Sequence, residues 1–96
     1  MKSIWKFPLK ITDMQEVRMP EGAKILTVQI QGETPTLWAE VDTDGVPEER
    51  LIEIVGTGNP MAYDMGNVLA LEVVERNYIA TIQERVFVWH IYERLS

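Results

Sequence analysis

The sequence predicts a mainly β fold: a small antiparallel sandwich or barrel-like domain of about seven to eight short strands, with one short helix as a possible addition. Three observations carry this expectation. Lys24 to Thr43 reads as two alternating runs joined by Gly32-Glu33-Thr34-Pro35. Comparable short runs recur along the rest of the chain between turn residues, with no repeat, low-complexity tract or linker. Finally, 96 residues suffice for one hydrophobic core but not for a substrate domain paired with a cofactor domain, so residues 1–96 read as a single domain.

In chain order, the expected strands are Ser3 to Phe7, Glu16 to Met19, Lys24 to Gln31, Thr36 to Thr43, Glu49 to Val55, Val68 to Val74, Tyr78 to Gln83 and Val86 to Tyr92. Pro20-Glu21-Gly22 and Asp44-Gly45 are the clearest turns. Side chains alternate along a strand, so Leu26, Val28 and Ile30 share one face of the third run. On the fourth, Leu37, Ala39 and Val41 share a face, while Trp38 falls with Glu40 and Asp42 on the other. Met65 to Ile82 is dense in good helix formers, which leaves a helix as the alternative there, although strands are favoured. The last run is apolar on both sides, with Phe87, Trp89 and Ile91 on one and Val86, Val88, His90 and Tyr92 on the other. A strand of that kind is central in its sheet or covered by another element or subunit. A homo-oligomer is therefore expected.

Charge and composition exclude several classes. The formal charge of −6 and a pI near 4.7 argue against general nucleic-acid binding, which needs clustered Lys and Arg to displace counterions. Without cysteine there is neither a disulfide framework nor a thiolate metal site. No signal-peptide or membrane-spanning run is visible, so a cytoplasmic location and no membrane partner are expected. The single histidine, His90, lies beside Val88 and Tyr92 and reads first as a satisfied, partly buried imidazole. Ser3 and Ser96 sit near the ends, which disfavours a serine triad. No catalytic residues, metal or cofactor are therefore assigned, and the protein is expected not to be an enzyme.

Three features invite sharper readings. Gly56-Thr57-Gly58-Asn59-Pro60 follows the apolar run Leu51 to Val55. Asn59 suits a helix N-cap and Pro60 a first helical position, so a single turn closed by Gly66 is plausible. A glycine loop of this kind exposes N–H groups that can hold an anion, although the spacing fits neither nucleotide-binding glycine motif and a structural connection is the more frequent reading. The acid-rich stretch Glu40, Asp42, Asp44, Glu48, Glu49 and Glu53, opposed only by Arg50, superficially resembles a calcium loop at Asp42-Thr43-Asp44-Gly45. Val46 and Pro47 stand where a ligand and a glycine belong, so it reads as a solvated hairpin. Among the tryptophans, Trp5 and Trp89 are expected in the core. Trp38 is the one placed for contact or base stacking.

Ile4-Trp5-Lys6-Phe7-Pro8-Leu9, Ile11-Thr12-Asp13, Met19-Pro20-Glu21-Gly22-Ala23-Lys24-Ile25-Leu26, Leu37-Trp38-Ala39 and Val55-Gly56-Thr57-Gly58 recur in this order in a family of small uncharacterised proteins. The chain resembles that family, which carries a domain-of-unknown-function label and is encoded mainly by tailed bacteriophages and sometimes by bacterial genomes. Two departures stand out: Asn59 replaces a frequent histidine, and Gln83-Glu84-Arg85 replaces a glycine-rich turn before the last strand. The resemblance implies a phage accessory protein that redirects the host or blunts its defences. Two partners then compete. One is a small nucleotide-like molecule, with Trp38 for stacking, Gly56, Thr57, Gly58 and Asn59 for phosphate, and Lys24 or Lys6 for charge. The other is a host protein, inhibited or tethered through the acidic face at Glu40, Asp42 and Trp38. A minor structural protein of the phage particle is the remaining alternative.

Overall fold

The computed structural model describes residues 1–61 and 74–95. Seven strands appear among them: β1 (Lys2–Pro8), β2 (Met14–Pro20), β3 (Lys24–Gln31), β4 (Thr34–Asp42), β5 (Pro47–Gly56), β6 (Arg76–Glu84) and β7 (Phe87–Arg94). They form two antiparallel sheets, one ordered β1-β4-β3 and the other β2-β5-β7-β6, stacked as a small sandwich. The edge strands β3 and β6 run alongside each other where the sheets meet. No helix among the described residues is long and apolar enough to cross a membrane.

The expected alternation holds on β4. Leu37, Ala39 and Val41 are buried and meet Val17, Met19, Ile52, Ile54, Ile82 and Ile91 in one core. β7 lies between β5 and β6, the central position expected of it, with Ile91 buried on the core side and Val88, His90 and Tyr92 half-buried on the other. The turns follow local chemistry. Gly22 and Gly32 adopt φ of +73° and +64°, which glycine reaches without steric cost. Gly45 N–H donates to the Asp42 carbonyl at 2.9 Å and closes the β4–β5 turn.

Several expectations are corrected. Leu26 does not share the core face with Val28: a β-bulge between Ile25 and Thr27 shifts the register, Ile25 packs on the core, and Leu26 is left 43% exposed. Trp5 is 40% exposed rather than buried, because β1 is an edge strand. Trp89 does pack against the core. Thr34 and Pro35 belong to β4, since the turn needs only Gly32 and Glu33, with Gln31 paired to Thr34. Val86 sits at the tip of the β6–β7 hairpin and not in the strand. Arg76–Glu84 is a strand, so the helical alternative fails there. The rest of that alternative, most of the Val68 to Val74 strand and most of the single turn closed by Gly66 lie outside the described residues.

Glu53 is not part of a solvated loop. It is 2% exposed, and its carboxylate pairs with Arg76 and Arg94. Arg50 holds Glu93 in a two-point contact and donates through Nη1 to the Ala23 carbonyl at 2.9 Å, tying β5 and β7 to the β2–β3 turn. The Glu93 hydrogen bond keeps the Arg50 guanidinium above its ordinary pKa despite burial. These pairs put charge into the interior only where a partner compensates it.

Candidate ligand site

The glycine loop forms where β5 ends. Asn59 N–H donates to the Gly56 carbonyl at 3.0 Å, and Thr57 N–H donates to the Val88 carbonyl at 3.1 Å. Gly58 takes φ +86° at the third position of this turn, as a type II geometry requires. Gly56 is constrained differently. A Cβ on it would come within 2.7 Å of Asn59 Nδ2 and 3.1 Å of Trp89 Cζ3, so the absent side chain lets Trp89 lie against the loop. Trp89 is also the cross-strand partner of Gly56, and Phe87 stacks on it at a centroid distance of 5.6 Å.

Next to this turn the β2–β5 ladder runs out. Its last paired residues are Met14 and Glu53, after which Ile54 N–H donates to the Asp13 carbonyl at 3.1 Å. Beyond that bond, a cavity of about 280 Å³ opens, lined by Ile11, Thr12, Asp13, residues 53–56, Asn59, Pro60 and Trp89. Its size is near the lower end of small-molecule sites. The Trp89 indole N–H is buried without a hydrogen-bond partner. A buried donor in that state costs about 1–3 kcal/mol.

A second polar feature leaves the same loop on the opposite face of the sheet. Thr57 Oγ1 lies 2.7 Å from His90 Nε2, Thr81 Oγ1 lies 3.0 Å from His90 Nδ1, and Tyr78 OH lies 2.6 Å from Thr81 Oγ1. The imidazole is thus satisfied at both nitrogens by hydroxyls from the loop and from β6. Tyr92 closes this row with an edge-on contact to Tyr78 at 5.6 Å. A hydroxyl beside an imidazole is the first half of a nucleophile–base pair, but here the far nitrogen meets another hydroxyl and not a carboxylate.

The site residues expected from the sequence fall into two groups. Gly56, Thr57, Gly58 and Asn59 are together in the loop. Trp38 and Lys24 stand on the other sheet: Lys24 is the cross-strand neighbour of Glu40, and Trp38 is flanked by Lys6 and Thr27. The structure does not bring Trp38 to the glycine loop, and the indole that lines the loop cavity is Trp89. Lys6 donates to Gln31 Oε1 at 3.0 Å. The face at Trp38 is also less acidic than the β4 sequence suggests, since Lys2 stands opposite Asp42 and Lys24 opposite Glu40. Sequence reasoning missed Trp89 as a site wall because the Gly56–Trp89 pairing joins residues far apart in the chain. Among the described residues, no group of three or more His, Asp or Glu is placed to hold a metal ion.

Fold and site together define a small all-β sandwich with a glycine turn and an aromatic-walled cavity at one end. The chain belongs to the family described as Domain of unknown function (DUF7352), whose model matches residues 1–96. No curated protein and no solved structure matches it.

Proposed function

We propose that the protein is a non-enzymatic binding protein that takes a small nucleotide-like ligand into the cavity between Ile11–Asp13 and the glycine turn. The observation that carries this reading is the cavity itself, walled by Trp89 and bordered by Gly56 and Asn59 where the glycine turn begins and ends. An aromatic wall suits a base, and the Asn59 side-chain amide at the cavity's border suits an acceptor such as a phosphate oxygen. In this reading Trp89 takes the stacking role first expected of Trp38. Lys24 and Lys6 then act at most as distant charges.

The phage setting implied by the sequence resemblance gives the reading a role: sequestering a nucleotide-like signal in the host cytoplasm as a host-defence antagonist. A host protein recognised through an acidic surface is less well supported, because the acids beside Trp38 face lysines across the strands.

The test is native mass spectrometry of the protein purified from infected host cells, compared with the mass of the denatured chain. Excess mass released as a nucleotide-like compound, and reduced in Trp89→Phe, supports the proposal. A bare protein overturns sequestration. A retained host polypeptide transfers the function to a protein interface, and recovery only within purified virions assigns the chain to the particle.

A further inference from the structure

Among the described residues, the first sheet has one strand edge that no other strand approaches, and this edge is β1. β4 covers its other side, while β3, at the opposite end of the sheet, runs against β6. Leu9 N–H donates to the Pro35 carbonyl, and the Met1 carbonyl accepts from Thr43 N–H, both at 2.8 Å. Backbone groups alternate sides along a strand, so odd residues of β1 face β4. The N–H and C=O groups of Lys2, Ile4 and Lys6 therefore point outward, together with the Pro8 carbonyl. Pro8, which has no N–H, stands at an outward position where it breaks no β1–β4 bond.

β1 is also apolar on both faces at its centre, with Ile4 62% exposed and Trp5 40% exposed. Lys2, Lys6 and Pro8 are residues that guard an edge, but they flank the exposed apolar Ile4 and Trp5, whereas the open edge strand of the second sheet, β2, exposes only the charged Glu16 and Arg18. We propose that β1 is a homodimer interface, in which a second copy pairs antiparallel with it about a two-fold axis at Trp5 to make a continuous six-stranded sheet. This inference stands apart from the ligand reading.

The register follows from the sequence of β1. Centring on Trp5 sets Trp5 opposite its copy, Ile4 opposite Lys6, Ser3 opposite Phe7 and Lys2 opposite Pro8. No like charges then face each other directly. Centring on Ile4 would set Lys2 against Lys6, which is unfavourable. With Trp5 on the axis, Ile4 and Lys6 exchange the intermolecular hydrogen bonds, and the two indoles meet in the closer, non-hydrogen-bonded pair. Such a self-complementary contact is the commonest route to a closed dimer.

The test is the mass of the full chain in solution by light scattering and native mass spectrometry. The expected value is twice the 11.0 kDa of the chain. Ile4→Pro removes an outward N–H without touching the β1–β4 ladder, and Trp5→Lys puts like charges on the axis. Each should weaken the dimer by at least about 30-fold in dissociation constant while circular dichroism stays native. Because the chain has no cysteine, Trp5→Cys gives a second readout. Oxidation should yield a covalent dimer, since about 4.5 Å between the paired Cα atoms is within disulfide reach. Ile4→Cys, two positions out of register with its copy, should not crosslink. A monomeric wild type, an assembly that survives both Ile4→Pro and Trp5→Lys, or crosslinking through Ile4→Cys in preference to Trp5→Cys overturns the proposal. If Ile4→Pro fails to fold, the other variants decide.

Discussion

Arg50 reaches Glu93 diagonally across the β5–β7 ladder on the core side, where Ile52 is Glu93's direct partner, and joins it by Nε and by Nη2, the latter at 3.0 Å from Oε1. Glu93 is buried and Arg50 nearly so, which makes this a compensated interior pair. Removing Glu93 leaves the largely buried Arg50 with only the more exposed Glu48, 3.7 Å away, as a counter-charge. Glu93→Ala should therefore lower stability by about 3–5 kcal/mol. Pairing Arg50→Met with Glu93→Leu should recover most of that loss, because neither charge then remains. Urea unfolding of the single and double variants checks this, and a single variant within about 1 kcal/mol of wild type would refute it.

The contrast between this pair and the core shows what a single sequence discloses. Leu37, Ala39 and Val41 were legible because one period-two pattern fixes a face whatever lies opposite. Leu26 and Trp5 were not. A bulge has no strong local signature, and whether β1 is an edge depends on strand order. Glu53 looked like one more surface acid, since Arg76 and Arg94, which pair with it, are remote in sequence. The candidate site divides in the same way. Gly58 announces a turn by itself, whereas the meeting of Gly56 with Trp89, or of Thr57 with His90, comes only from pairing β5 with β7.

Arg85 is the one non-glycine residue among those described with a left-handed backbone, at φ +57° in the two-residue turn between Glu84 and Phe87. A side chain in that conformation costs about 1–2 kcal/mol, part of which glycine returns through its looser unfolded state. Arg85→Gly should raise stability by about 1 kcal/mol, seen as a higher urea midpoint at unchanged slope. A lowered midpoint would show that the Arg85 side chain contributes more than its backbone costs.

Asp42 accepts a hydrogen bond from the Asp44 backbone N–H at 3.1 Å, and the N-terminal ammonium lies 3.2 Å from the same oxygen. Both contacts favour the carboxylate, the backbone bond most, so its pKa lies below the ordinary value of 3.8. The sign follows from linkage: a depressed folded value means that the contribution is complete above the unfolded pKa and disappears as pH falls through the folded one. NMR titration of the side-chain carboxyl should place Asp42 below 3.8. Asp42→Asn should reduce the loss of stability on acidification. A carboxyl titrating at or above the ordinary value would contradict the turn geometry.

His90 has a hydroxyl at each nitrogen, Thr57 at Nε2 and Thr81 at Nδ1. A neutral imidazole donates from one nitrogen and accepts at the other, and a hydroxyl can do either, so both tautomers can be satisfied in this row. The geometry therefore assigns the ring to holding the glycine loop against β7 and β6, a role that needs no proton transfer. Thr57→Val and Thr81→Val should each cost about 1 kcal/mol. In double-mutant cycles with His90→Ala, each should show a coupling of about 0.5–1.5 kcal/mol, while the Thr57 N–H bond to Val88 keeps the turn in place. Urea unfolding measures the cycles, and ring ¹⁵N shifts report which nitrogen carries the proton. Additive effects at both threonines would mean that the hydroxyls merely lie near the ring, and the loop would then be held by its backbone bonds alone.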